Sequence, residues 1–362
     1  MAFNLAYNDK GYPGIIDMDR TVSEASMSRL TYVIKRVGKM DFSRMLDTAK
    51  MLHKKTGKPT AWLLADMAKC ALKYNAGYMD YKIAEMYRLN DAQRRSVITR
   101  GISNEIVRRM NDKAYWHYFD DKTQFNTTFA KWVQRDWIKC DESMTQDALN
   151  KFLSDKDQVI YKPLEGSSGQ GIVKYQQKDW EANPGLFRDQ LLENGDGILE
   201  EVVIQHREMS RMCPTSVNTV RIATLLGDKK EGIVYAFLRI GNGRVMDNVD
   251  CGGMAARVDL DTGTLLTVGA DKLGNTYEKH PITGTPIIGF QIPFFEEAKA
   301  MCLDAMRVVP QVRFVAWDVA ITEDGPRFIE GNSFPSHAVP QFAAHYPDGI
   351  GILPEFKKFL DL

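Results

Sequence analysis

Apolar residues recur at helical spacing from about Ser23 to Met110. Met27, Leu30, Val33 and Ile34 share one face, and Met45, Met51 and Leu52 a looser one. Thr60-Ala-Trp-Leu-Leu-Ala-Asp-Met-Ala-Lys-Cys-Ala-Leu-Lys73 predicts a strong helix, with Gly57-Lys-Pro59 and Asn75-Ala-Gly77 as punctuation. The mixed aromatic and charged run Tyr78–Arg88 reads as half-buried core rather than as a substrate or partner surface. Helices continue from Tyr115 to Leu153, with strand character at Trp132–Ile138. After Asp157 the texture changes. Short β-branched runs at Val159–Lys162, Ile172–Tyr175, Gly197–Ile204, Val217–Leu226 and Gly232–Ile240 alternate with Gly and Asp turns, and a helix at about Pro293–Val309 interrupts them. Helices followed by antiparallel strands predict the α+β class, with a helical N-terminal region over 1–110.

The last two runs, Phe314–Thr322 and Pro326–Asn332, flank Glu323-Asp-Gly325 and predict a hairpin. A three-residue loop with Gly325 in the left-handed position pairs Thr322 with Pro326. That register puts Asp318 opposite Glu330, with Asn332 on the same face. Opposed residues lie roughly 5 Å apart at Cβ, and like charges there repel, so a cation between them is expected. Carboxylate and amide oxygens suit Mg²⁺ better than zinc. On this reading Asp318→Asn or Glu330→Gln spares the fold, because each relieves repulsion.

Charge and cysteine content narrow the class. Lys+Arg and Asp+Glu both number 47, so no global basic field points to nucleic acid or an anionic membrane, although local basic patches stay open. Five scattered cysteines without a CxxC argue against a disulfide framework or a zinc site, and for a reducing compartment. No apolar run reaches a membrane span and the start lacks a signal-peptide pattern, so a soluble cytoplasmic protein of two or three lobes is expected.

Further residues suggest phosphate chemistry. Val159-Ile-Tyr-Lys162 leads into Gly166-Ser-Ser-Gly169-Gln-Gly171, a loop whose amide groups can turn toward an anion beside a lysine. No GxxxxGK[ST] occurs, and strand–loop–strand is not the dinucleotide arrangement. Ile198-Leu-Glu200-Glu201-Val-Val203 ends a strand with paired acids and then apolar residues, suited to an adenine edge or ribose. Val220 and Ile222 alternate with Arg221, a rigid fork for phosphate. Asp247-Asn-Val-Asp-Cys-Gly252-Gly253 reads as a close-approach loop. Taken singly, each of these segments is equally well a turn, an edge or a surface arginine.

In combination the order resembles the ATP-grasp superfamily, in particular its sugar-transfer-associated branch. The phrases that carry the resemblance are Glu200-Glu201…Gln205-His206, Ser216-Val-Asn-Thr-Val-Arg221-Ile, Gly252-Gly253, His280-Pro281…Gly284 and Trp317-Asp318…Glu330-Gly-Asn332. The resemblance implies an ATP-grasp domain over 111–362, two α+β lobes at about 120–204 and 205–362 clasping ATP. It implies a first phosphate lysine at Lys122, with Lys113 the competitor, and a second at Lys162. Gly166, Ser167, Ser168, Gly169 and Gly171 become a lid over the phosphates, Glu200, Glu201 and Val203 the adenine hinge, and Glu208 the ribose carboxylate. Arg221 becomes the γ-phosphate contact, and Asp318, Glu330 and Asn332 a magnesium triad. The lid departs from many relatives in lacking a dense glycine cluster.

The implied activity is ATP- and Mg²⁺-dependent ligation of a carboxylate to an amine through an acylphosphate, with an amino acid and a sugar acid or amino sugar as candidate substrates in surface-polysaccharide synthesis. Lys162 and Arg221 are the catalytic candidates, and His206, His280 and His337 candidate bases. The alternatives are a phosphotransferase on a sugar or other small acceptor, and a non-catalytic nucleotide-binding module. Small-molecule, saccharide or amino-acid substrates are the expected partners, with no nucleic acid and no membrane insertion. Oligomerisation stays open, since the aromatic helices between Trp62 and Tyr87 suit a subunit interface as well as a substrate wall.

Overall fold

The computed structural model describes residues 42–164, 171–243 and 247–362. The chain divides into two compact units, Met1–Lys73 and Tyr74–Leu362. In the first, α1 (Phe42–Thr56) and α2 (Thr60–Tyr74) flank the Gly57-Lys-Pro59 break. Gly57 takes φ +73 there, a left-handed backbone that terminates α1 without a Cβ penalty. The expected helical face at Met27–Ile34 lies outside the described residues.

The second unit begins with short helices, including α3 (Arg100–Met110) and α4 (Lys122–Thr128). The Asp121 side chain caps α4 by accepting from the Thr123 and Gln124 amides. Two antiparallel sheets follow. The smaller has the order β1-β4-β2-β3, from β1 (Trp137–Cys140), β2 (Gln158–Pro163), β3 (Val173–Gln176) and β4 (Gly197–Glu201). The helices α5 (Gln146–Leu153) and α6 (Pro184–Glu193) cover one face through Leu149, Leu153, Phe187 and Leu191, packed on Val159, Tyr161 and Leu199. Alternation then sends Lys162 and Glu200 to the other face.

The larger sheet has the order β11-β10-β5-β6-β7-β8-β9. Its strands are β5 (Val220–Leu226), β6 (Glu231–Ile240), β7 (Met254–Arg257), β8 (Gly269–Ala270), β9 (Thr276–Tyr277), β10 (Phe314–Thr322) and β11 (Gly325–Asn332). Trp317, Ile222 and Phe328 pack on one face with α7 (Phe295–Ala305). Phe314, Ala316, Ala223, Leu225 and Phe237 pack on the other. Every residue of β10 is buried, and all but Asp318 and the terminal Thr322 are apolar.

Several boundaries differ from the pattern. Strand character at Trp132–Ile138 resolves into a helical turn, Ala130–Val133, ended by Gln134 at φ +46, and only then β1. The β4 strand stops at Glu201, so Val202–Ile204 are irregular. The helix α6 was not anticipated, although Asn183 accepting from the Leu186 amide and Pro184 in the first turn are ordinary start signals. Strands β7 to β9 are too short for an alternation to register.

The terminal hairpin carries the most instructive correction. Its loop is two residues, pairing Thr322 with Gly325 rather than with Pro326. Uncorrected, that register would put Asp318 opposite Ile329. A bulge instead skips Ile329, between Val319↔Phe328 and Asp318↔Glu330. Asp318 therefore faces Glu330 as expected, by a different route.

Candidate active site

Arg221 is paired across β5 and β10 with Asp318, on the same face of the sheet. Its Nε donates to Asp318 Oδ1 at 2.5 Å and its Nη2 to Oδ2 at 2.6 Å, a two-pronged grip. From β6, Arg239 donates through Nη1 to the same Oδ2 at 2.5 Å, and through Nη2 to Asp247 Oδ1 at 2.7 Å. Asp247 in turn accepts from the Thr219 amide at 2.9 Å and the Thr219 hydroxyl at 2.5 Å. Burial by itself would raise the Asp318 pKa, but Arg221 and Arg239 overcome it and hold the carboxyl well below its ordinary range.

Asp318 thus carries three arginine hydrogen bonds. A carboxylate accepts about four, and the Glu330 side chain opposite is a further hydrogen-bond partner of Asp318. This overturns the expectation that Asp318→Asn spares the fold: repulsion from Glu330 is outweighed by two buried guanidinium groups that depend on Asp318. Arg239 and Asp247 were missed as a pair. An arginine inside an otherwise apolar strand, Val234-Tyr-Ala-Phe-Leu-Arg239-Ile240, was the available signal.

Glu330 stands opposite Asp318 with half of its side-chain surface (51%) exposed, 3.7 Å from Arg221 Nη2. Desolvation and the Asp318 carboxylate push it up to about 7. With that much surface open, the Asp318 charge is the cause the geometry supports better. Asn332, paired with Ala316, donates its Nδ2 to the Ala316 carbonyl at 3.2 Å. The donor set for a cation is two carboxylates and one amide oxygen. Among the described residues no group of three or more His, Cys, Asp or Glu side chains could hold a metal ion, so this set has only two such side chains, Asp318 and Glu330. The set is all hard oxygen, which suits Mg²⁺.

Lys162 and Glu200 build the adjoining wall from the smaller sheet. Lys162 Nζ lies 2.5 Å from Glu200 Oε2, as an ion pair rather than an aligned hydrogen bond. Glu200 is 1% exposed, and its Oε1 accepts from Arg135 Nη2 at 2.9 Å and from Asn126 Nδ2 at 2.7 Å. Burial would raise its pKa, yet Arg135 and Lys162 hold it down at about 2. The Glu200 side chain is therefore spent inside the protein. An adenine edge would have to use the backbone just beyond it, Val202 to Ile204, which lies outside the strand and where Ile204 is exposed.

Arg135 was also missed. It donates to the Phe328 carbonyl and, at 3.2 Å, to the Ile329 carbonyl. Those are the carbonyls at the β11 bulge, so one guanidinium ties Glu200 on the smaller sheet to the kink that sets Glu330 opposite Asp318.

Lys122, in the first turn of α4, donates to the Leu164 carbonyl at 3.4 Å and lies within electrostatic reach of Glu330, Lys162 and Glu200. Desolvation lowers its pKa, and the neighbouring Lys162 charge adds to that. Lys113 sits exposed in a separate turn. Gly171, at φ +71, leaves 3.1 Å between an added Cβ and Pro163, so the turn there excludes larger residues. Gly166, Ser167, Ser168 and Gly169 lie outside the described residues. Glu201 accepts from the Asp136 amide at 3.3 Å. Glu208 pairs with Arg211 at 2.6 Å in a short helix and has no contact with this cluster.

The three histidines divide. His206 accepts from the Glu208 amide as a helix cap. His280 is 1% exposed and bonded to the Gly241 carbonyl at 2.8 Å, a core role. His337 meets the buried Asp80 carboxylate at 2.7 Å. In the Gly252-Gly253 loop, a Cβ on Gly253 would lie 2.4 Å from the Asp247 carbonyl oxygen, so the close approach read from the sequence is real.

Lys122, Lys162, Arg135, Arg221 and Arg239 thus meet Glu200, Asp318, Asp247 and the readily protonated Glu330. The surplus is cationic and suits a polyphosphate.

The sequence profile of the sugar-transfer associated ATP-grasp family matches residues 102–358. No curated protein matches the chain. Among solved structures, the ATP-grasp ligase PsnB complexed with minimal precursor, Mg and ADP is similar over 68% of this chain and 62% of its own, at 14% identity and a TM-score of 0.38. The chain therefore spans less than two thirds of that protein. D-cycloserine synthetase DcsG is similar over 71% of this chain and 76% of its own, at 13% identity and a TM-score of 0.40. D-alanine–D-alanine ligase from Bacillus anthracis is similar over 71% and 73%, at 13% identity and a TM-score of 0.41. Likenesses this low carry no weight for function.

Proposed function

We propose that the chain, which belongs to the sugar-transfer associated ATP-grasp family, is an ATP-dependent enzyme that joins a carboxylate to an amine through an acylphosphate. The observation that carries this reading is that Arg221 grips Asp318 beside Glu330, while Lys122 lies within electrostatic reach both of Glu330 and of the Lys162–Glu200 pair. Lys122 and Lys162 would neutralise the ATP phosphates. Arg221 spends Nε and Nη2 on Asp318, which leaves Nη1 for the transferred phosphoryl group. Asp318, Glu330 and Asn332 would hold Mg²⁺, which when bound supplies charge neutralisation at the phosphates.

The substrate carboxylate attacks the γ-phosphorus and ADP leaves. The amine then attacks the acyl carbon and phosphate leaves. This chain's residues act by position and charge, and no covalent nucleophile is called for. Amino acids and sugar acids or amino sugars are the substrate classes we favour, with a role in surface-polysaccharide synthesis and a cytoplasmic setting.

Calorimetric titration of ATP with and without Mg²⁺, on wild type and Lys162→Ala, tests the nucleotide site. Magnesium-dependent binding lost in the variant supports it. ADP release is then followed with panels of amino acids and sugar acids. Release of free phosphate together with ADP marks a ligase, whereas ADP without phosphate marks a kinase and overturns the ligation step. Absence of ATP binding under both conditions overturns the reading altogether.

A further inference from the structure

The zero net charge conceals an asymmetry. Residues 42–73 carry Arg44, Lys50, Lys54, Lys55, Lys58, Lys69 and Lys73 against only Asp47 and Asp66, a net +5 that the rest of the chain balances. All of them lie in the first compact unit. One face of α2 buries Leu63, Met67 and Cys70. Trp62, Ala65, Lys69 and Leu72 share another face by their spacing, and all are exposed, Trp62 at 43% and Leu72 at 64%. A helix on a globular surface ordinarily turns polar residues outward. Here the outward face is apolar and edged with lysine. Lys58 Nζ sits 4.6 Å from the Trp62 ring centroid, and α1 ends in His53, Lys54 and Lys55. Phe42 and Leu46 are exposed at the start of α1.

We propose that α1 and α2 form a docking surface for an anionic lipid membrane. The chain rests on the bilayer with Trp62 and Leu72 in the interfacial layer and Lys50, Lys54, Lys58 and Lys69 against headgroup charge. The composition selects this occupant. A second copy across a two-fold axis would set +5 against +5. Residues 1–41 hold five acidic against six basic residues, a net +1, so as a segment they do not neutralise the +5. A nucleic acid would satisfy the lysines but leave Leu72, Phe42 and Leu46 in water. No helix among the described residues is long and apolar enough to cross a membrane, so the contact is superficial. The inference does not depend on the ligase reading.

Co-sedimentation of the full chain with vesicles tests it, comparing phosphatidylcholine alone with phosphatidylcholine containing phosphatidylserine. Binding is expected only with the anionic lipid, and it should weaken with salt. Lys54→Gln combined with Lys69→Gln should lower the partition about 30-fold, the effect of removing two lysines from such a surface. Trp62→Ser with Leu72→Ser should abolish binding while circular dichroism and ATP binding stay unchanged. Equal binding to both vesicles, or to neither, overturns the proposal. So does a Trp62-dependent dimer seen by light scattering without lipid, or RNA binding that survives the Trp62 and Leu72 changes when vesicle binding is absent.

Discussion

Glu200→Gln separates two roles for one side chain. As a nucleotide ligand, Glu200 would matter for ATP and little for folding. The geometry says the reverse. The carboxylate is 1% exposed and its partner Arg135 has a side chain 2% exposed, so glutamine leaves a buried guanidinium without its counter-charge. Breaking one side of a buried pair costs about 3–5 kcal/mol. Arg135 keeps the Phe328 and Ile329 carbonyls, which points to the lower end, about 3 kcal/mol. In urea this moves the unfolding midpoint down by about 1 M.

The Glu200 pKa is depressed in the folded chain to about 2. The pair's contribution is therefore fully present above the unfolded value near 4.5 and is lost as pH falls toward 2. The gap between wild type and variant should close across that window. Lys162→Ala provides the contrast. Glu200 retains Arg135, so stability falls by only about 1–2 kcal/mol, while ATP binding is lost. Urea unfolding monitored by circular dichroism, paired with ATP calorimetry, reads both. A Glu200→Gln protein as stable as wild type but unable to bind ATP would refute the argument.

The remaining predictions follow the same physics. Asp318→Asn should destabilise by about 3 kcal/mol, because Arg221 and Arg239 lose their shared partner while Arg239 keeps Asp247, whereas the half-exposed Glu330→Gln should cost less than about 0.5 kcal/mol. Thermal unfolding checks the pair, and the opposite ranking would refute the clamp. His345 is wholly buried, with Nε2 bonded to the Ala255 carbonyl at 2.9 Å, and burial holds its pKa down at about 4. The unfolded chain therefore binds the extra proton between the ordinary 6.5 and about 4, and stability falls as pH drops through that interval, by on the order of 3 kcal/mol. His345→Gln should flatten that slope in urea titrations at stepped pH, and an unchanged slope would assign the loss elsewhere. Gly253→Ala should cost about 1–3 kcal/mol, since the new methyl would lie 2.4 Å from the Asp247 carbonyl oxygen; a melting temperature equal to wild type would show that the loop yields.

Much of the architecture was legible because it rests on local pattern. Lys73 closes a 3.6-residue periodicity that α2 obeys, and the β10 run from Phe314 to Thr322 is apolar enough to be a buried strand whatever its neighbours. The facing of Asp318 and Glu330 was also readable, although the loop was taken one residue too long. The bulge at Ile329 compensates, and a bulge leaves no local mark when the extra residue is another β-branched one. The site's residue types were visible too, since lysine in a strand beside a Gly/Ser loop and Asp with Glu-x-Asn are unusual placements in sequence.

Side-chain partners were not readable. Glu200 looks like an open carboxylate at a strand end until Arg135, 65 residues earlier, is brought against it. Arg239 is anonymous in β6 until the strand order β10-β5-β6 sets it beside Asp318. Sequence alone determined which segments are helix or strand and which carboxylates share a hairpin face, because those depend on periods of 3.6 and 2 within a few residues. Only the tertiary structure decided which charges are free for a ligand and which are spent inside. A buried ion must find its counter-ion across space, and nothing in the local pattern says from which strand that partner comes.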